Sequence, residues 1–403
     1  MALVRSRFPR APDGVLLLDG WARIPVRSGQ TVTGSLLAAG VLATSRSLKY
    51  RRPRGPFCLR GDCGTCLVRI DGRPNLRACQ VAARPGMQVE SQNRSEQGSW
   101  EPSDWLDAWI GRSLDHHHLV LRPRWANRWM QQVARRLSGL GALPSGDLPT
   151  MAEPEHREVR VVVVGGGVAG RAVAEALGAA ADEVVVLDRG QEGDAVFGLY
   201  TEEGVVAAGT DGRGSVERLR TFSAEHVVLA TGTRESMAPF PGNDRPGVVS
   251  ARGLCELLER EALELAAPAV VVGRAPWASA YGERLGVPFF DLDQVHEVLG
   301  THAIDTLVLS DGRRIPANLI ALAEAPSAAS DLARQAGAGV TWADHAGFVV
   351  ERDAEGRCTT TGPWQLWACG AVCGVLEREA ARADGARVGA AIARRIAAKE
   401  HAS

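Results

Sequence analysis

Long apolar runs are missing from this sequence of 403 residues, and no stretch approaches the roughly 18 consecutive apolar residues that a membrane span needs. The opening segment, MALVRSRFPRAPDG, breaks up any signal-peptide core with arginine and proline, so a cytoplasmic location is expected. Lysine is nearly absent: Lys49 and Lys399 are the only two among 46 basic residues, yet 47 acids balance the arginines to a net charge of −1. A chain so balanced lacks the basic surplus of a nucleic-acid binder, and no nucleic-acid partner is expected. Paired carboxylates, a nucleophile–base constellation and an HExxH motif are also missing, so substrate chemistry is expected to take place elsewhere than on these side chains.

What is present points to a compact protein with a redox task. The length suggests two or three domains, and 45% hydrophobic residues with 45 glycines exclude long disorder, collagen and coiled coil. Eight cysteines without a secretion signal argue for metal or redox use over a disulfide framework.

Four of them form FCLRGDCGTCLVRIDGRPNLRAC, a C-x4-C-x2-C-x12-C spacing of Cys58, Cys63, Cys66 and Cys79. A 2Fe-2S cluster needs four thiolates on two irons, and this spacing brings three from one loop, with the fourth from elsewhere. Gly61 and Gly64 suit a loop that turns tightly and aims amides at sulfur. Leu67–Ile70 alternates like a strand, Asp71-Gly72 makes a turn, and a hairpin returns the chain to Cys79. Four thiolates also suit zinc, although structural zinc sites usually pair two short knuckles. Upstream, residues 15–18 and 21–26 read as a hairpin about Asp19-Gly20, followed by a helix in GQTVTGSLLAAGVL. That order is the order of a β-grasp ferredoxin, and the cysteine spacing resembles the iron-sulfur subunit of succinate dehydrogenase.

The second signal is RVVVVGGGVAGRAVAEALGAAADEVVVLDRG, from Arg160. An apolar strand runs into Gly165, Gly167 and Gly170, a helix follows, and a second strand ends at Asp188, 188 − 165 = 23 residues on. Glycines at these positions let a pyrophosphate approach the positive end of a helix, and the acid is placed for ribose hydroxyls. Two later strands end at Ala230-Thr231-Gly232 and at Gly370, and look like further FAD contacts. Between them AAPAVVVGRAPWASAYGERLG has the shape of a second nucleotide fold, but Ala275 and Ala278 follow Gly273 where glycines are usual, so that site reads as degenerate.

With the stretches SRSLKYRRPRG (45–55), PNLRAC (74–79), ESQN (90–93) and FPGNDRPGVVSA (240–251), the chain resembles the α subunits of the heterotetrameric sarcosine oxidase group. It is similar, more closely, to the iron-sulfur and flavin subunits of hydrogen cyanide synthase and related amino-acid dehydrogenases. The resemblance implies an electron-transfer subunit in a hetero-oligomer, with the amine oxidised in a catalytic FAD-containing β subunit of the amine oxidase type. It implies a 2Fe-2S cluster on the four cysteines and FAD on Gly165, Gly167, Gly170, Asp188, Thr231, Gly232 and Gly370. Ala371 follows Gly370 where an acid is usual, so NAD or ATP in that site, or an empty fold, stays open. Rival functions are a self-contained NAD(P)H-dependent reductase and a scaffold subunit.

The expected fold class is mixed α+β and α/β. It comprises a β-grasp 2Fe-2S domain over 1–97, a helical connector over 98–157, and a two-lobed Rossmann-like domain over 158–403 with the degenerate lobe inserted at about 236–350. In the connector, Trp125, Trp129, Val133, Leu137 and Leu140 fall at helical spacing, as in a helix packed on its own domains or, second, one that docks a β subunit. His116, His117 and His118 are read as a loop, and Cys369 and Cys373 as packing residues.

Overall fold

The computed structural model describes residues 2–8, 11–47, 52–92, 125, 153–178, 184–188, 194–210 and 219–401. The histidine run at 116–118 and all of the connector helix except an exposed Trp125 lie outside the described residues.

Two compact units make up the chain, Met1–Leu148 with Met237–Glu324, and Pro149–Ser236 with Ala325–Ser403. In the first unit, five strands order as Ala22–Val26, Gly14–Leu18, Gln88–Ser91, Leu67–Ile70 and Arg73–Arg77. Gly14–Leu18 and Gln88–Ser91 run parallel, and the other neighbours antiparallel. The two hairpins turn on Asp19-Gly20 and Asp71-Gly72, where all four residues have positive φ, from 49° to 81°. That is the geometry two-residue hairpins prefer, because it matches strand twist. Alternate residues of Leu67–Ile70 face inward, so Val68 and Ile70 join Leu16, Leu18, Ile24 and Val89 in one core. The helix Val32–Ala38 covers it, with Thr31 Oγ1 accepting from Gly34 N at its start. This is the expected β-grasp arrangement.

The inserted lobe carries a four-stranded parallel sheet in the order Val248–Ser250, Leu319–Ala323, Ala269–Gly273, Phe289–Asp291. Its helices are Ala251–Arg260 and Trp277–Leu285. The lobe closes with the strand Leu319–Ala323, so the chain leaves the unit after Glu324, earlier than the expected return near 350. Nor do residues 1–97 stand apart from the lobe. Leu3, Val4, Leu37, Leu42 and Leu59 share a core with Leu254, Leu257, Leu263 and Leu319 of the lobe, and Val4–Ser6 pairs antiparallel with Leu263–Leu265. The residues from 1–97 lie on or next to the N-terminal strand, the outer side of the helix and the cysteine loop, and find their cover on the lobe.

The second unit is the first nucleotide lobe. Val184–Leu187, the C-terminal half of Glu155–Val164, the C-terminal end of Leu219–Leu229 from His226 onward, and Gln365–Ala368 form its parallel sheet. The strands 194–200 and 205–210 extend it as an antiparallel hairpin. Val168–Leu177 and Arg378–Glu400 cover one face, their apolar residues meeting Val161, Val163, Val228 and Trp367. Among the described residues, no helix is long and apolar enough to cross a membrane.

Candidate functional site

The cysteine loop is shaped by residues with left-handed backbone: Leu59 at φ 57°, Gly61 at 88° and Gly64 at 67°. A side chain on Gly61 would lie 2.8 Å from Gln80, beside Cys79. So bent, the loop aims the amides of Arg60, Asp62 and Cys63 at Cys58 Sγ, at 3.5, 3.2 and 3.3 Å. Cys58 N donates to Cys63 Sγ at 3.4 Å, and Cys66 Sγ lies 3.4 Å from Cys79 Sγ. Cys58, Cys66 and Cys79 are buried, and Cys63 is exposed. Sequence reasoning missed Thr65, whose hydroxyl accepts from Phe57 N and sits 3.1 Å from Cys63 Sγ; its place between two cysteines was the available signal.

Crowding by Cys58, with desolvation of the sulfur within the loop second, pushes the Cys63 thiol well above its ordinary range. For Cys79, Cys58 draws the value down, but Cys66 and burial outweigh it and the thiol rises. Sulfurs packed together this way are costly to ionise unless cations stand among them, which is what two ferric or ferrous ions supply. Cys66 and Cys79 thus meet through their sulfurs, while Cys58 Sγ gathers the amides of Arg60, Asp62 and Cys63. Among the described residues no three His, Cys, Asp or Glu side chains form a group that could hold one metal ion. Three of the four cysteines on one loop, with three amides aimed at Cys58 Sγ, suit a two-iron cluster.

The nucleotide fingerprint stands in the second unit. Gly165 has φ 108°, and a Cβ there would lie 2.2 Å from Ala230 O; one on Gly170 would lie 1.9 Å from Gly165 O. These two glycines are packing requirements where strand, turn and helix meet. Gly167 differs: it caps the Val168–Leu177 helix, no side-chain hydrogen bond covers the helix start, and the space where its Cβ would stand is open. An uncapped helix start with a bare glycine fits an anion such as a pyrophosphate. Asp188, just past Val184–Leu187, accepts from Gly166 N through Oδ2 at 2.7 Å, which brings it to this turn. Thr231 donates to Ala329 O at 2.9 Å, and Gly232 turns with φ 71°.

Gly370 has φ 74°, and its N–H donates to Asp384 Oδ2 at 2.8 Å. Asp384 also accepts from Arg352 Nη1 at 2.8 Å; despite the burial that works the other way, this pair and the Gly370 amide hold its carboxyl below the usual range. Asp384, fourteen positions on in a helix, holds the Gly370 turn through that bond, and no local pattern in the sequence marks it. Cys369 is fully buried, and burial pushes Cys373 up to about 12. In the inserted lobe, a Cβ on Gly273 would lie 1.9 Å from Ala323 O, again a packing requirement, and no side chain caps Trp277–Leu285.

A family described as a 2Fe-2S iron-sulfur cluster binding domain matches residues 16–94. The sarcosine oxidase subunit alpha of Rhizobium meliloti is 28% identical over 286 residues, 58% of this chain and 29% of that protein. Hydrogen cyanide synthase subunit HcnA of Pseudomonas aeruginosa is 44% identical over 75 residues, 18% of this chain and 71% of that protein. The solved L-proline dehydrogenase of P. horikoshii superposes with a TM-score of 0.68 at 17% identity, covering 96% of this chain and 75% of that one, which shows a shared fold. The chain spans less than a third of the sarcosine oxidase alpha subunit it matches, and most of the hydrogen cyanide synthase subunit. With the cysteine loop, the glycine fingerprint and these likenesses together, the chain belongs to the family of iron-sulfur and flavin oxidoreductase subunits that includes sarcosine oxidase subunit alpha and hydrogen cyanide synthase subunit HcnA.

Proposed function

We propose that this chain is the electron-transfer subunit of a flavin-dependent amine or amino-acid dehydrogenase complex, with the substrate oxidised in a partner subunit. The observation that carries the reading is the cysteine loop, with three backbone amides directed at Cys58 Sγ and Cys66 Sγ 3.4 Å from Cys79 Sγ. Cys58, Cys63, Cys66 and Cys79 would hold a 2Fe-2S cluster. Gly165, Gly167, Gly170, Asp188, Thr231, Gly232 and Gly370 would hold FAD. When bound, the flavin supplies two-electron and the cluster one-electron chemistry.

The chain's own groups have three tasks in this reading. The amides of Arg60, Asp62 and Cys63 stabilise negative charge on Cys58, and so favour the reduced state. Gly167 leaves the helix start bare for the pyrophosphate, and Asp384 keeps the Gly370 turn closed through its N–H. Cys63 is the exposed member of the four, so the loop around it is the side from which an electron reaches a partner over the shortest distance. A FAD-containing β subunit of the amine oxidase type is the partner this role needs, consistent with the multi-subunit relatives.

Cofactor analysis of the chain purified without air tests the reading. Two irons, two acid-labile sulfides and one FAD per chain are expected. Zinc without sulfide would overturn it, and iron without flavin would return the nucleotide site to NAD, ATP or no ligand.

A further inference from the structure

The inserted lobe has the outline of a nucleotide fold but not its glycines, and its Ala251–Arg260 helix lies against the cysteine loop. Ser250 N donates to Phe57 O at 2.8 Å, and Ser250 Oγ accepts from Gly253 N at 3.0 Å, which fixes the helix start. A Cβ on Gly253 would lie 2.0 Å from Cys58 O, 2.9 Å from its carbonyl carbon and 3.3 Å from Leu59 Cβ. One turn on, Glu256 Oε2 pairs with Arg60 Nε at 2.8 Å. Leu59, buried with Leu254, holds a left-handed φ of 57° that a leucine rarely adopts unless its surroundings impose it.

We infer that Gly253 is a positioning residue for the iron-sulfur cluster: lacking a side chain, it lets the lobe's helix bear on the Cys58 backbone and fixes where that thiol stands. The inference rests on reading Cys58 as a cluster ligand. A methyl group at 253 would meet the Cys58 carbonyl first and Leu59 Cβ next, and moving that backbone draws Cys58 Sγ away from the amides of Arg60, Asp62 and Cys63. Fewer N–H···S bonds leave the charge of the reduced state less stabilised, so the reduction potential falls and the iron is held less firmly. The lobe, on this account, serves as the seat of the cluster loop, which is a use for a nucleotide fold whose own loop reads Gly273, Ala275, Ala278.

The test compares full-length wild type, Gly253→Ala and Glu256→Gln, each purified without air. Iron release to a chelator, the electron paramagnetic resonance spectrum after reduction, and the midpoint potential are read, with bound nucleotide as a check on the other unit. Gly253→Ala is expected to release iron about tenfold faster or more, with a lowered potential and unchanged nucleotide. Glu256→Gln, which weakens the Arg60 and Arg252 ion pairs without a steric clash, is expected to speed iron release by less. Iron-loaded variants matching an iron-loaded wild type would overturn the inference alone; should Gly253→Ala fail to fold, Glu256→Gln decides by itself. A wild type free of iron and sulfide would overturn the cluster reading and this inference with it.

Discussion

His226 stands at the centre of the nucleotide lobe, 3% exposed, where its Nδ1 accepts from Trp367 Nε1 at 3.2 Å. The bond places the ring proton on Nε2, and burial, helped by Lys399, Arg395 and Arg160 against Glu225, holds the imidazolium form below its ordinary 6.5. In the unfolded chain the same ring takes its proton near that value, so below about pH 6.5 protons favour unfolding, and stability is lost as pH falls. One residue contributes at most about 1.4 kcal/mol per pH unit. Urea titrations at pH 7.5 and 5.5 are expected to show a larger acid loss for wild type than for His226→Gln; equal losses would assign the acid sensitivity elsewhere. At this scale the sequence displays residues whose spacing is itself the signal, the four cysteines and the fingerprint glycines. It conceals those defined by a partner far along the chain, such as His226, Asp384 and Gly253.

Two helices of the nucleotide lobe approach closely because Gly385 and Gly389, one turn apart on Arg378–Glu400, face Val168–Leu177. A Cβ on Gly385 would stand 2.2 Å from Ala169 O, and one on Gly389 2.6 Å from Val173 O. In a free helix Gly→Ala gains about 1 kcal/mol, but forced separation of packed helices costs roughly 1–3 kcal/mol or more. Gly385→Ala is therefore expected to lower stability and to loosen nucleotide, since Ala169 also lies against Gly370. A denaturation midpoint at or above wild type would show that the helices part without cost. Elements made by local chemistry were legible here: the Asp-Gly hairpins, the strand–glycine–helix turn and the strand ending before Gly370 all stand where the pattern predicts them. Trp21, counted with a strand, instead sits exposed in the turn, since the strand begins at Ala22.

At the scale of the molecule, the cluster domain and the inserted lobe share one core, so the residues that look like a separable ferredoxin are incomplete alone. A fragment of residues 1–97 would uncover Leu3, Val4, Leu37, Leu42 and Leu59. Each fully exposed leucine forgoes roughly 1.5–3 kcal/mol. The fragment is expected to bind a hydrophobic dye and to lose iron faster than the full chain; a fragment as stable as the whole would show that the shared core is dispensable. Domain boundaries were the least legible level, because alternation and spacing report which face is buried but not what covers it. The pairing of Val4–Ser6 with Leu263–Leu265 has a temporal consequence. During synthesis at about 5–20 residues per second, the first strand waits roughly ten to fifty seconds for its partner to emerge. Throughout that interval the cysteine loop lacks the helix that seats it, so lasting iron insertion belongs after the lobe has left the ribosome.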